Sequence, residues 1–296
     1  MWVYCMKRFL LSIMAIFLIL LSGCTKPEPA QVAATTLPVY EFTARLCQGT
    51  PITVTRLVTE AVSCLHDYSL NVRQVKAAEA AQVIVISGAG LEEFMHDLIG
   101  DREVVDASSG IELLCSEHSH EHEEEAAHHH HEEDPHIWLS AANAQIMAEN
   151  ICKGLQEKYP AYADTFADNL SNLQQDLKEL DDYGKQTLEK LRCRELITFH
   201  DGFAYLADAY GLTILEAVEE ESGREASAKE LIHLIEEVEH HNLPAIFTEK
   251  SGSVSASGII ARETGCKSFS LDMAMSGDSY FGAMYHNIDT IKEALG

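Results

Sequence analysis

From residue 32 onward, short apolar runs alternate with stretches whose apolar positions recur at helical spacing. Residues 32–36 read as a strand, 39–47 as a helix, and 52–58 as a strand rich in β-branched side chains. Residues 81–87 are mostly apolar and end at Gly88, the pattern of a strand buried on both faces of a parallel sheet. A helix over 91–98 and a short strand over 103–105 follow. Ser140 is placed to cap the next helix, in which Ile146, Met147, Ile151 and Leu155 share one side.

The longest helical pattern covers residues 162–191. Phe166, Leu170, Leu173, Leu177 and Leu180 are spaced 4, 3, 4 and 3 apart, a continuous stripe along one face. At 1.5 Å per residue this helix reaches roughly 40 Å, enough to join two domains. Gly184 is expected to soften it. Strands at 196–199, 212–215, 245–248 and 266–271 then alternate with helices at 203–210, 227–241, 254–264 and 280–295. Such alternation implies mostly parallel sheets flanked by helices. The expected fold class is α/β, with two lobes, each a mostly parallel sheet flanked by helices, joined by one long rigid helix. The expected boundaries are 32–160 for the N-terminal lobe, 161–191 for the connecting helix and 192–296 for the C-terminal lobe.

Two segments break the pattern. In 117–134, fifteen of 18 positions are His, Glu or Asp, so the segment has almost nothing to bury and reads as a loop. It holds His118, His120, His122, His128, His129, His130 and His131. At the start, Lys7 and Arg8 precede an apolar run of 13 residues, 9–21, followed by Ser22-Gly23-Cys24. That run is shorter than the roughly 20 residues of a spanning helix and reads as a secretory signal. Leu21-Ser22-Gly23-Cys24 resembles the bacterial lipobox. Residues 1–23 would then be a lipoprotein signal peptide, Cys24 the lipidated first residue, and 24–31 a tether to the membrane.

Composition narrows the partners. The formal charge is −26, and loss of Lys7 and Arg8 with the signal makes it −28. Nucleic acid and anionic lipid need clustered Lys and Arg, so neither is expected as principal partner. Six cysteines remain after Cys24, namely 47, 64, 115, 152, 193 and 266, without a CxxC. Their pairing stays open, although Cys115 follows Leu113-Leu114 as a small hydrophobe would.

The candidate chemistry lies at predicted strand ends and helix starts. His66 follows the strand at 52–58, His136 comes just before a helix, His200 closes the strand at 196–199, and Asp272 follows that at 266–271. Ligands of parallel α/β sheets gather at the carboxyl ends of strands. Three imidazoles and one carboxylate suit four-coordinate Zn²⁺ better than Mn²⁺, Mg²⁺ or Ca²⁺. A zinc hydrolase is the rival from another class, but HExxH, a nucleophile elbow and a P-loop are all missing.

The chain resembles the zinc- and manganese-binding solute-binding proteins of ABC importers, the cluster A-I or cluster 9 family. The matching segments are Cys64-Leu-His-Asp-Tyr-Ser-Leu70, Gly88-Ala-Gly-Leu-Glu92, Asp134-Pro-His-Ile-Trp-Leu139 and Thr198-Phe-His-Asp-Gly-Phe203. Ala226-Ser-Ala-Lys229, Ile246-Phe-Thr-Glu249 and Tyr280-Phe281 with Asn287 continue the pattern. The resemblance implies metal held between two lobes by His66, His136, His200 and Asp272, and delivery of Zn²⁺ as cargo to an ABC permease. Manganese-selecting relatives carry a carboxylate at the position of His200, so histidine there favours zinc. Asp272-Met-Ala-Met departs from the relatives' usual Asp-Pro-Leu-Gly, which leaves Asp272 or water as the fourth ligand. The expectation is a monomeric lipoprotein outside the cell membrane, not an enzyme, whose His-rich loop collects zinc.

Overall fold

The computed structural model describes residues 31–62, 65, 68–100, 102–115, 133–218, 226–250, 252 and 254–296. Two four-stranded sheets organise them. The first contains β1 (Gln31–Ala34), β2 (Thr53–Arg56), β3 (Val83–Ile86) and β4 (Val104–Asp106) in the order β2-β1-β3-β4. The second contains β5 (Glu195–Thr198), β6 (Thr213–Ala217), β7 (Ala245–Glu249) and β8 (Lys267–Leu271) in the order β6-β5-β7-β8. Every strand pair is parallel, as the expected fold class requires. Helices α1 (Leu37–Leu46), α2 (Val72–Ala80), α3 (Ala141–Lys158) and α4 (Ala163–Leu188) accompany the first half of the chain. Helices α5 (Ala204–Tyr210), α6 (Ala228–His241), α7 (Ser255–Thr264) and α8 (Tyr280–Leu295) accompany the second. Among the described residues, no helix is long and apolar enough to cross a membrane.

Helix α4 is the 26-residue spine. Phe166, Leu173, Leu177 and Leu180 of its apolar stripe are fully buried, against α3 along one side and against both α1 and α8. Truncating Leu177 to Ala would therefore cost about 2–5 kcal/mol. The helix runs unbroken through Gly184, contrary to the expected softening. A Cβ there would overlap the Tyr210 ring of α5, so this glycine serves close packing.

Two further expectations change, and one helix was not foreseen. The helix expected over 91–98 is a 3₁₀ turn, Glu93–Met95, leading into one helical turn, His96–Ile99. Gly88, Ala89 and Gly90 all have positive φ, and Glu92 folds back to accept the Ser87 and Gly88 N–H groups, which fixes a turn where a regular helix would begin. Helix α2 carried no clear apolar stripe, but Asn71 and Gln74 form a capping box at its start. Cys115 is exposed, because its backbone rather than its side chain is engaged, in an antiparallel bridge with Glu133. Cys47, Cys115, Cys152, Cys193 and Cys266 are free thiols, and burial pushes that of Cys47 up to about 12.

The seam between the sheets is made by the segment after β8. Trp138 Nε1 donates to the Met273 carbonyl at 2.7 Å, and Leu37 N–H donates to that of Met275 at 3.2 Å. Arg56 donates to the Gly277 carbonyl at 2.7 Å, and Tyr280 hydroxyl donates to that of Trp138 at 2.8 Å. Three residues from the first half, Leu37, Arg56 and Trp138, thus hold one short segment of the second through four hydrogen bonds.

Candidate metal centre

The order β6-β5-β7-β8 sends the chain from β5 to one side for β6 and to the other for β7. The crevice at the carboxyl end of β5 is therefore the switch point where a parallel sheet takes its ligand. His200 stands there, two residues beyond the last residue of β5. His136 approaches from the other half of the chain, just ahead of the fully buried turn Ile137–Leu139. The two rings meet edge to face with centroids 5.2 Å apart. Asp201 places a carboxylate oxygen 3.8 Å from His200 Nε2.

His136 is held from three directions. Asp134 Oδ1 accepts the His136 backbone N–H at 2.8 Å and lies 2.7 Å from Nδ1. A carboxylate can only accept, so Nδ1 carries the proton and Nε2 keeps its lone pair. This is the carboxylate–histidine arrangement that orients an imidazole toward a metal. Asp134 is itself buried, and its Oδ2 has no hydrogen-bond partner among the described residues. The Trp138 ring covers one side of the imidazole at 5.4 Å. Gly202 closes another side, since a Cβ on it would lie 2.8 Å from the imidazole Cγ.

The base of the segment between Cys115 and Glu133 is tied to the same place. Asp134 N–H donates to the Leu114 carbonyl at 2.8 Å. Tyr205 of α5 donates its hydroxyl to the Asp134 carbonyl at 3.0 Å and accepts the Leu114 N–H at 2.9 Å. Burial pushes this phenol up to about 12, so it remains a neutral donor at any physiological pH.

Asp272 is fixed through its backbone. Its N–H donates to Asn287 Oδ1 and its carbonyl accepts from Asn287 Nδ2, both at 2.7 Å. Of its carboxylate oxygens, Oδ1 accepts the Ala274 N–H at 2.9 Å and Oδ2 pairs with Lys250 Nζ at 3.0 Å. The next residue, Met273, reaches both Trp138 and Gly202. The structure thus brings His136 and His200 together, while the contacts of the Asp272 carboxylate are Ala274 and Lys250. His66, the loop histidines 118, 120, 122 and 128–131, and Cys24 lie outside the described residues.

Sequence reasoning assigned no role to Asp134, Gly202, Tyr205 or Lys250. Asp134 had a local signal, since an acidic residue two positions before a candidate ligand can reach its Nδ1. Gly202, Tyr205 and Lys250 act through contacts between distant parts of the chain and had none.

Two like-ordered parallel sheets on one long helix, with paired histidines at a switch point, match a known family in sequence as well. The model of the ZnuA family, the periplasmic zinc-uptake complex component A, matches residues 32–294. The chain belongs to this family. The high-affinity zinc uptake system protein ZnuA of Bacillus subtilis (strain 168) is 29% identical over 289 residues, covering 93% of this chain and 90% of that one. The zinc-binding lipoprotein AdcA of Streptococcus pneumoniae (strain ATCC BAA-255 / R6) is 27% identical over 307 residues, 97% of this chain but only 61% of AdcA. A crystal structure of ZnuA superposes with a TM-score of 0.78 at 28% identity, covering 90% of this chain and 100% of that one. The protein is a zinc-type solute-binding protein of metal ABC importers. The family is extracytoplasmic.

Proposed function

We propose that the protein captures Zn²⁺ between its two sheets through His66, His136, His200 and Asp272 and passes it to an ABC permease. The observation that carries this reading is the His136–His200 pair, one ring from each half of the chain, with Asp134 keeping the His136 Nε2 lone pair available. Zinc takes such N/O sets in tetrahedral sites, and four protein ligands leave no open position for a substrate, so the protein is not an enzyme. It works as a monomer, anchored outside the membrane through a lipid on Cys24, and the histidines of 117–134 gather zinc for the cleft.

Lys250 bears on the fourth ligand. Its Nζ lies 3.0 Å from Asp272 Oδ2, and it would have to yield that oxygen to a cation bound there. Because imidazole binds metal only when neutral, acidification weakens the binding.

The test is a competition on chelator-stripped protein offered Zn²⁺ and Mn²⁺ together, with bound metal counted by native mass spectrometry. One tight zinc, retained when 117–134 is deleted and released between pH 7 and 5, is the expected result. Preference for manganese, or loss of the tight zinc with the loop, would refute the cleft assignment.

A further inference from the structure

We infer that a second, weaker zinc site lies on the outer end of the C-terminal sheet, built by Glu237, His240 and His241 with Glu195 behind them. The three ligand residues occupy the last turn of α6 at positions i, i+3 and i+4, a spacing that puts them on one face. Their ligand atoms all lie within 4.8 Å of one another. His241 Nε2 and Glu237 Oε2 are 3.6 Å apart. A tetrahedral Zn²⁺ with bonds of about 2.0–2.1 Å holds neighbouring ligands roughly 3.3 Å apart, so it fits this gap with little movement.

Two independent features orient the cluster for a cation. Glu195 Oε2 sits 3.0 Å from His241 Nδ1, which takes the ring proton there and leaves Nε2 as the acceptor facing Glu237. Glu195 belongs to β5 and not to the helix, so the sheet itself sets the ring. The cluster also stands at the carboxyl end of α6, where the helix dipole favours positive charge. His240 packs edge to face on His241 with centroids 4.9 Å apart, close enough to supply the third ligand. Glu195 opens the strand whose far end leads to His200, so the two sites lie at opposite ends of β5 and fill independently. With three protein ligands, one of them exposed, the outer site is completed by water and binds more weakly than a closed four-ligand site. Its natural ligand class is a borderline divalent cation taken by imidazole and carboxylate, with Zn²⁺ first because the protein already meets it.

The experiment follows histidine ring resonances in long-range ¹H–¹⁵N spectra while Zn²⁺ is added to the protein with its His-rich loop intact. Single His→Gln variants supply the assignments. After the first, tight equivalent is bound, the rings of His240 and His241 should shift together, and Glu237→Gln should abolish that shift. Glu195→Gln should raise the zinc concentration needed by about 10–100-fold while leaving the tight equivalent in place. All four positions are at least partly exposed, so amide spectra of the variants should match the parent outside the site. Rings of His240 and His241 that stay unmoved throughout the titration would overturn the inference. So would shifts that persist unchanged in Glu237→Gln.

Discussion

The two sheets share one topology, β2-β1-β3-β4 and β6-β5-β7-β8, yet they use the same crevice in opposite ways. At the carboxyl ends of β1 and β3, the crevice is filled from within. Glu92 accepts the Thr35 hydroxyl at 2.6 Å, the Ser87 N–H at 2.8 Å and the Gly88 N–H at 3.1 Å, and Thr36 meets Ser87 at 2.9 Å. At the carboxyl ends of β5 and β7, the chain presents Phe199-His200 and buried Glu249 instead. Of the two candidate ligands in the first half, His136 comes from elsewhere, just ahead of the turn that leads into α3. Topology therefore provides a crevice in each sheet, and the residue at the strand end decides whether it is sealed or offered to a metal.

Breaking the offered side should have the largest effect. His200→Ala removes a candidate ligand outright, and zinc affinity should fall by more than the roughly 100-fold that losing an orienting partner costs at most. A competition titration against a chelator of known strength measures this.

Breaking the sealed side should leave zinc bound but change stability. Burial raises the Glu92 carboxyl to about 7 from an ordinary 4.5, overriding the three donors that favour its ionised form. The folded protein thus keeps this proton after the unfolded chain has released it. The stability this gives is fully present below pH 4.5 and is lost as pH rises toward 7, amounting to roughly 3 kcal/mol at most. Gln cannot titrate, so denaturation of metal-free Glu92→Gln should lack that decline. Curves for the two proteins that stay parallel from pH 4.5 to 8 would contradict the assignment.

Smaller effects sharpen the contrast. Asp134→Asn keeps the size of the side chain but loses the acceptor strength that fixes His136, and should weaken zinc about 10–100-fold with the fold intact. Lys250→Met should strengthen zinc binding by several-fold if Asp272 is a ligand, because the competing ammonium is gone. An unchanged constant in that variant would give the fourth position to water.

Much of this was legible in the sequence because it depends on local pattern. The terminal helix Tyr280–Leu295, the Ser140 cap and the buried strands at 83–86 and 245–249 follow from periodicity and capping chemistry. Helix α2 was missed because its short apolar face is weak, although the Asn71–Gln74 capping box announced it. The His136–His200 meeting could be anticipated from strand ends. What holds it could not, since Gly202 under the imidazole and Lys250 on Asp272 are contacts between residues 66 and 22 positions apart. No periodicity encodes such distances. The role of Gly184 was misread for the same reason, its partner Tyr210 being on another helix.

The most direct test of the cross-lobe site is X-ray absorption at the zinc edge on protein loaded with one equivalent. The account predicts imidazole scattering from three histidines with bonds of about 2.0–2.1 Å, and the loss of one imidazole in His136→Ala and equally in His200→Ala. A spectrum unchanged by either substitution would mean that the first zinc binds somewhere other than between the two sheets.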